Sequence, residues 1–280
     1  MNQHPAPPEF FSEPEHQPFN LGNGPAGTLL IHGFPGTPAE MRPLAERLAQ
    51  NSYSARGILL PGFGPDIVKL PESGQKIWLA AAGAAWDEVR DKHSPAILIG
   101  YSMGAAIAIH LAVKRPPDAL ILLAPFWRMG SWQFHFLPLL KFLVPTVAPF
   151  KKADFDDPTV HEQLAAIAPG ADLSNPETQQ FFREEVQIPL KVLDEVRQLG
   201  QSAGRSAGKI SAPVLILQGD EDATVQPADT RQLARRFNGS VTLREVPGDH
   251  SFIRIDQNTS YDISHDILGF LEGIPQGRDE

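Results

Sequence analysis

One serine in the chain lies in a setting that activates nucleophiles. The segment GYSMG, Gly100–Gly104, follows a short apolar run and precedes an alanine-rich run that favours a helix. A sharp strand-to-helix turn holds its serine in a strained backbone conformation and projects the hydroxyl from the top of the sheet. The flanking glycines have no Cβ atom, so the strand and the helix can approach closely. The alternative, a loop serine between glycines, does not explain this context. The spacing therefore predicts Ser102 as a nucleophile.

A nucleophilic serine needs a base, which is usually histidine. His250, in VPGDHSF, follows a strand at its carboxyl end, the edge where ligands and chemistry gather in open α/β sheets. It is also the last histidine in the chain that is expected on a loop. The remaining histidines fall in the N-terminal segment, on helices, at turns or in the central segment: His4, His16, His32, His93, His110, His135, His161 and His265. We predict His250 as the base.

The acid that orients this histidine is expected in LQGDEDATV, after another strand. Asp220, Glu221 and Asp222 all compete there. Asp222 lies further out on the loop than Asp220 and is favoured, with Asp220 as the alternative. Asp249 is a poor candidate because adjacent side chains seldom face each other. One of these carboxylates could instead cap a turn.

An oxyanion formed in acyl transfer needs two preorganised backbone donors. The N–H of Met103, directly after the nucleophile, is one. The segment LLIHGFPGTP, Leu29–Pro38, has the form of the turn that supplies the second, and there we predict the Phe34 N–H. Pro35 has no N–H and restricts Phe34. His32 is expected to hold this turn through its ring nitrogens.

Strands and helices alternate along most of the chain, which predicts an α/β fold with a mostly parallel sheet flanked by helices. The sequence from Thr37 to Glu40 has the form of a capping box that opens a helix. The predicted strands are Leu29–His32, Arg56–Leu60, Pro95–Gly100, Ala119–Ala124, Pro213–Gly219 and Val241–Val246. The predicted helices are Pro38–Gln50, Ile77–Arg90, Met103–Lys114, Pro227–Phe237 and Ser260–Leu271.

The alternation stops between Phe126 and Gly208, where prolines, aromatic residues and a predicted helix, Pro189–Leu199, replace it. We predict an N-terminal tail over 1–20, an α/β core over 21–125 and 209–280, and a helical cap inserted over 126–208. The glycine-rich GQSAGRSAG is expected to be a flexible connection back to the core. The apolar cap sequence could line an acyl pocket, lie on lipid, or simply form the core of the cap.

Composition excludes several functions. The net charge is −9 and no basic cluster occurs, which argues against nucleic acid as a partner. The absence of cysteine excludes thiol nucleophiles, disulfides and cysteine-bound zinc. The first residues have no basic start or apolar run, and no apolar run reaches the length of a spanning helix. We therefore expect a cytoplasmic protein without metal, cofactor or transmembrane segment.

Taken in order, LLIHGFPGTPAEMRPLAERLA, LLPGFG, GYSMG, PVLILQGDEDATV and PGDHSF resemble the α/β-hydrolase carboxylesterases and monoacylglycerol lipases. The resemblance runs from about Leu21 to Leu271. It implies an α/β-hydrolase fold and a Ser-Asp-His triad, and its G-x-x-D-x-x-V pattern places the acid at Asp222. It also implies hydrolysis of a small ester, lipid-derived esters included.

Two departures from the family pattern are present. GFG, with Phe63, stands where GHG is usual, and Ala105 follows the elbow where glycine is common. Four aromatic residues are expected to contact the substrate: Phe63, Phe126, Trp127 and Trp132. The rival interpretations are a thioesterase on the same triad and a ligand-binding protein that barely turns over. Haloalkane dehalogenase and epoxide hydrolase chemistry are disfavoured because they are expected to use a carboxylate at the elbow.

Overall fold

The structure is a computed structural model of the 280-residue chain, and it describes residues 9–128, 146–157, 160, 164, 171–254 and 261–275. The predicted substrate-binding residue Trp132 lies outside the described residues, together with most of the aromatic sequence around it.

A seven-stranded sheet forms the centre of the described protein. Its strand order is β1-β3-β2-β4-β5-β8-β9; β1 is antiparallel to β3 and every other neighbouring pair is parallel. The strands are β1 Phe19–Leu21, β2 Ala26–Ile31, β3 Tyr53–Ile58, β4 Ala96–Tyr101, β5 Ala119–Leu123, β8 Val214–Gly219 and β9 Val241–Val246. Two short strands that the sequence did not predict, β6 Thr146–Val147 and β7 Ile188–Pro189, form a separate antiparallel pair.

The central strands are continuous apolar runs because both faces of the sheet are covered. Every residue of β2, β4, β5 and β8 is buried. Parallel strands flanked by helices on both sides lack a polar face and so read as unbroken runs of Leu, Ile and Val. The predicted α/β class is confirmed.

The α-helices whose bounds the structure describes are α1 Arg42–Gln50, α2 Gln75–Lys92, α3 Met103–Lys114, α4 Pro176–Glu184, α5 Leu190–Ser206, α6 Pro227–Ala234 and α7 Ser264–Leu271. Helix α4 packs in a hydrophobic cluster separate from the sheet, and the others flank the sheet. The crossover from β2 to β3 runs in the opposite direction from the crossover from β3 to β4. Right-handed connections therefore put α1 on one face of the sheet and α2 and α3 on the other, so the loops after β2 and β4 diverge. This switch point opens a crevice at the carboxyl ends of β2 and β4.

The glycine-rich GQSAGRSAG is not a flexible connection, and that prediction is wrong. Helix α5 continues through most of it, to Ser206. A Cβ atom at Gly204 would lie 2.5 Å from the Trp127 ring, and one at Gly200 would lie 2.9 Å from the Phe126 ring. The small residues therefore form a groove on the helix that admits two large aromatic rings, and this packing outweighs the low helix propensity of glycine.

Helix α5 belongs to the main core, although the predicted cap reached residue 208. It packs against α3, and its buried residues, among them Val192 and Leu199, join the hydrophobic cluster around the sheet. We therefore propose that any cap ends before Leu190. The remaining domain division stays a prediction.

A second hydrophobic cluster lies outside the sheet. It consists mainly of residues from the central segment, with one from the N-terminal segment: Phe11, Phe150, Phe155, Leu164, Leu173, Phe181, Phe182 and Val186. The N-terminal segment is thus packed from Phe11 onward, and the buried His16 contacts Thr37 through Nδ1, 2.9 Å from Oγ1. Within the described ranges, no helix is both long enough and apolar enough to cross a membrane.

Candidate active site

Ser102 lies at the turn between β4 and α3 in a strained conformation. Its φ is 52° and its ψ is −114°, a region that L-residues rarely adopt. The turn closes tightly: a Cβ at Gly100 would lie 2.4 Å from the Gly104 carbonyl, and one at Gly104 would lie 2.2 Å from the Ile31 carbonyl. Glycine is therefore required at both positions, and α3 can begin directly against the end of β2.

Loops at the same edge of the sheet bring a histidine and a carboxylate to this serine. His250 Nε2 lies 3.2 Å from Ser102 Oγ, and His250 Nδ1 lies 2.7 Å from Asp222 Oδ2. The Asp222 side chain is fully buried, whereas 22% of the His250 side chain is exposed. Asp222 is thus shielded from water, His250 is partly accessible, and Ser102 lies within hydrogen-bonding distance of His250. The catalytic roles of these three residues stay a prediction.

The carboxylate of Asp222 is held by four donors. Oδ1 accepts the N–H groups of Thr224 and Val225, each at 2.8 Å, and Oδ2 accepts Gln218 Nε2 at 2.9 Å besides the His250 ring. The alternative acid, Asp220, instead accepts the Gly248 N–H at 3.0 Å. The structure therefore places Asp222 at the histidine, whereas Asp220 accepts a hydrogen bond from the loop that carries the histidine.

Gln218 is a site residue that the sequence analysis missed. Its Oε1 accepts Thr230 Oγ1 at 2.5 Å, and its Nε2 also donates to the Val225 carbonyl at 2.9 Å. These bonds fix the amide so that Nε2 points at Asp222. The available signal was a single polar residue near the end of the apolar run PVLILQG, because a buried amide must find partners.

Tyr101 is a second site residue that the sequence analysis missed. Its hydroxyl donates to the His250 carbonyl at 2.9 Å, and its ring centroid lies 5.1 Å from that of the His250 ring, at an interplanar angle of 33°. Burial raises the pKa of Tyr101 well above its ordinary value, so the hydroxyl keeps its proton. Tyr101 thus supports the histidine loop from the residue before the nucleophile.

His32 holds the turn after β2, as predicted. Its Nδ1 donates to the Gly33 carbonyl at 2.8 Å, and its Nε2 accepts the Leu60 N–H at 3.1 Å. Burial lowers the pKa of His32 to about 4, against a smaller opposing effect of the Gly33 bond. The ring is therefore neutral near pH 7, the state that can donate from one nitrogen and accept at the other.

We expect His32→Gln to reduce kcat for p-nitrophenyl butyrate by about 10- to 100-fold, less than the full loss of an oxyanion donor can cost. The turn would lose the Nδ1 bond while an acceptor for Leu60 remains. His250→Ala should cost about 10⁴-fold or more, because the base itself is removed. Both variants are assayed beside thermal melts, and equal losses in the two folded variants would refute the structural role of His32.

The two predicted oxyanion donors lie just after β2 and just after β4, which are neighbouring strands of the sheet. Gly33, which precedes Phe34, packs on the elbow, because a Cβ there would lie 3.3 Å from the Ser102 Cβ. In the described part of the chain, neither the Phe34 N–H nor the Met103 N–H donates to a protein acceptor. Two backbone donors without a protein acceptor, on turns beside a strained serine, suit an anion. Their role as oxyanion donors stays a prediction.

Glu40 does not complete the predicted capping box. Thr37 Oγ1 accepts the Ala39 N–H at 3.3 Å, as an N-cap does, but Glu40 Oε2 accepts the Gly33 N–H at 2.9 Å. The segment Pro38–Glu40 is a 3₁₀ turn, and α1 begins only at Arg42. The Glu40 residue keeps some exposed surface, yet burial of its carboxyl group raises the pKa to about 8.

The aromatic residues predicted to bind substrate have other neighbours. Phe63 is fully buried, with its ring centroid 5.2 Å from the His32 ring and 5.7 Å from that of Phe34, so it supports the oxyanion turn from behind. Trp127 Nε1 donates to the Asp229 carbonyl at 2.9 Å while its ring packs on α5. These rings pack against protein groups, and a role of Phe63 or Trp127 in substrate contact stays a prediction.

Phe126 contacts the backbone of Ser102. Its N–H donates to the Ser102 carbonyl at 3.2 Å, and its ring packs over Gly200. A role in substrate contact stays a prediction. The described ranges contain no group of three or more His, Asp or Glu side chains arranged to hold a metal ion.

The chain is similar to known proteins over most of its length. Residues 25–250 match a family model described as serine aminopeptidase, S33 (Hydrolase_4). The thermostable monoacylglycerol lipase of Bacillus sp. (strain H-257) is 27% identical over 214 residues, which are 76% of this chain and 77% of that protein. Thioesterase TesA of Mycobacterium marinum is 26% identical over 219 residues, 77% of this chain and 78% of that protein.

A solved structure shows the same fold. The crystal structure of the monoacylglycerol lipase of Paleococcus ferrophilus matches with a TM-score of 0.68 at 18% identity, covering 92% of this chain and 98% of that one. At this identity the likeness bears on the fold alone. The predicted fold is thereby confirmed.

Proposed function

Because the chain belongs to the Hydrolase_4 family, described as serine aminopeptidase, S33, we propose that it is a serine hydrolase that cleaves carboxylic esters. The observation that carries the proposal is the hydrogen-bonded series Ser102–His250–Asp222, with spacings of 3.2 and 2.7 Å, at the switch point of the sheet. A nucleophile, its base and an orienting acid in this order suffice for acyl transfer.

The first half of the reaction forms an acyl-enzyme. Ser102 Oγ attacks the ester carbonyl while His250 Nε2 takes the hydroxyl proton. Asp222 holds the tautomer that leaves Nε2 free to accept and stabilises the imidazolium that forms. The carbonyl oxygen becomes an oxyanion, which accepts the N–H groups of Phe34 and Met103. The intermediate collapses when the ester C–O bond breaks and His250 returns the proton to the leaving alcohol.

The second half repeats these steps with water. His250 takes a proton from the water as its oxygen attacks the acyl carbon. The same oxyanion contacts stabilise the second tetrahedral intermediate. Its collapse breaks the bond to Ser102, returns the proton to Oγ and releases the carboxylic acid. The 3.2 Å spacing between base and nucleophile is typical of a free enzyme and tightens when substrate is bound.

The substrates we propose are short- to medium-chain acyl esters or monoacylglycerols. The similarity to the monoacylglycerol lipase of Bacillus supports this class. We also propose that the central segment forms a cap over the crevice, an idea supported by its separate hydrophobic cluster. An apolar cap above Ser102 would recognise the acyl chain by burial rather than by hydrogen bonds.

A thioesterase is the second candidate, favoured by the similarity to TesA over 77% of the chain. The triad serves both reactions, so the substrate must decide between them. Side-by-side kcat/KM values for an oxyester and a thioester of one acyl chain separate the two.

The test is a panel of p-nitrophenyl esters from acetate to laurate, with monoacylglycerols, the matched thioester and an aminoacyl p-nitroanilide as the peptidase control. We expect kcat/KM for the preferred oxyester to exceed those for the thioester and the anilide by about tenfold or more. A preference for the thioester would establish the second candidate. If no substrate of the panel is turned over, the interpretation as a ligand-binding protein with little turnover would be favoured.

A further inference from the structure

We propose that Glu40 is a positioning residue, which fixes, through Gly33, the backbone that presents the Phe34 N–H to the oxyanion. This inference rests on the proposed function, whose chemistry uses Glu40 at no step. Glu40 is not part of the triad. Its position three residues after Thr37 predicted a capping contact rather than a contact with Gly33.

The contacts of the carboxyl group bracket the predicted donor. On one side of Phe34, the Gly33 N–H donates to Glu40 Oε2 at 2.9 Å. On the other side, a Cβ at Gly36 would lie 2.2 Å from the Glu40 carboxyl carbon, so the loop closes directly onto this group. Two contacts to one rigid planar group thus hold the short segment that contains Phe34.

The bracketed segment lies against the nucleophile. Gly33 lies so close to Ser102 that a Cβ added to Gly33 would lie 3.3 Å from the Ser102 Cβ, closer than an ordinary van der Waals contact. A displacement of Gly33 would therefore change the distance between the Phe34 N–H and the carbonyl that Ser102 attacks. Oxyanion donors act only when they are aimed at the place where charge develops, so a small displacement of the turn reduces kcat.

Helix capping does not account for Glu40. Thr37 already accepts the Ala39 N–H as the cap of this turn, and the Glu40 side chain points back to Gly33 instead. A residue needed only to initiate the helix would not need to accept the Gly33 N–H.

The charge of the group suits this location. Burial raises the pKa of Glu40 to about 8, although the hydrogen bond from the Gly33 N–H and, less strongly, the charge of Arg254 oppose the shift, so the group is mostly an uncharged acid at pH 7. A neutral acceptor holds the Gly33 N–H without placing a negative charge beside the oxyanion, which such a charge would destabilise.

Two variants separate the effect of the length of the Glu40 side chain from the effect of its acid group. Glu40→Gln keeps the length and an oxygen acceptor and loses only the acid, whereas Glu40→Asp keeps the acid but is one methylene shorter. We expect Glu40→Gln to keep kcat for p-nitrophenyl butyrate within about threefold of the wild type. Glu40→Asp should lower kcat by about 10- to 100-fold with KM within about twofold, as a mispositioned oxyanion donor does.

The matched control is Glu46→Gln, an exposed glutamate on α1, which should leave kcat unchanged. Thermal melts identify the folded variants. Equal kcat in Glu40→Asp and the wild type would overturn the proposal, and so would a loss in Glu40→Gln as large as that in Glu40→Asp. A change confined to KM would also overturn it, because a positioning role acts on the transition state.

The rate of Ser102 labelling by an alkyl fluorophosphonate gives a second readout, because the phosphonyl oxygen also accepts the oxyanion donors. Labelling should slow in Glu40→Asp and stay near the wild-type rate in Glu40→Gln; equal rates in all three proteins would overturn the proposal. Should the wild type label but hydrolyse no ester, the proposed function fails, and the labelling rates still decide the role of Glu40.

Discussion

Replacing Ser102 with alanine is expected to lower kcat for p-nitrophenyl butyrate by about 10⁴-fold or more. The serine supplies the only oxygen that His250 Nε2 contacts in the described residues, at 3.2 Å. Without it, no acyl-enzyme can form, and turnover is limited to the attack of water aided by the remaining groups. Hydrolysis is followed by p-nitrophenolate release with purified protein.

The fold should survive this substitution. Alanine removes one oxygen, and the strained backbone is held by the glycine contacts on both sides rather than by the hydroxyl. Thermal melts are therefore expected to match those of the wild type within a few degrees. Ser211→Ala, at an exposed serine before β8, is the matched control and should keep full activity. Turnover retained by folded Ser102→Ala would reject the nucleophile.

Replacing Asp222 with asparagine is expected to lower kcat by about 10³- to 10⁴-fold, as a wrong histidine tautomer does in other triads. The amide Oδ1 can still accept the N–H groups of Thr224 and Val225, so its NH₂ group would face His250 Nδ1. That ring nitrogen would then accept rather than donate, and Nε2 would carry the proton and could not take the one on Ser102.

Asp220→Asn is the matched control for Asp222→Asn, since both lie in the same loop and both lose one charge. Asparagine at 220 can still accept the Gly248 N–H, which holds the histidine loop. We expect its kcat to stay within about threefold of the wild type, because a neutral acceptor replaces a charged one at an exposed position. A larger loss in Asp220→Asn than in Asp222→Asn would reverse the assignment of the acid.

The sequence predicted much of the fold because the central strands are buried on both faces. Runs such as AILIG and ALILL have one plausible structure, and the predicted helix Met103–Lys114 and strand Val241–Val246 match the structure residue for residue. The three residues of the predicted triad also come together, because each follows a strand whose carboxyl end lies at the same edge of the sheet.

Features that depend on distant packing were not predictable in this way. The glycines of GQSAGRSAG predicted a flexible segment. Their place in a helix is explained only by the rings of Phe126 and Trp127, which pack where a Cβ would otherwise lie. The GFG departure predicted Phe63 in the pocket wall but gave no indication that its ring also packs against His32. The role of Glu40 depends on a loop that returns to it, which local patterns such as a capping box do not contain.

The most direct test of the central claim is the site of covalent labelling by an alkyl fluorophosphonate, located by peptide mass spectrometry and followed alongside ester hydrolysis. The account predicts about one adduct per chain, on the peptide that contains Ser102, with hydrolysis lost in proportion to labelling and no adduct in Ser102→Ala. An adduct on a different residue, or full hydrolysis by completely labelled protein, would contradict it.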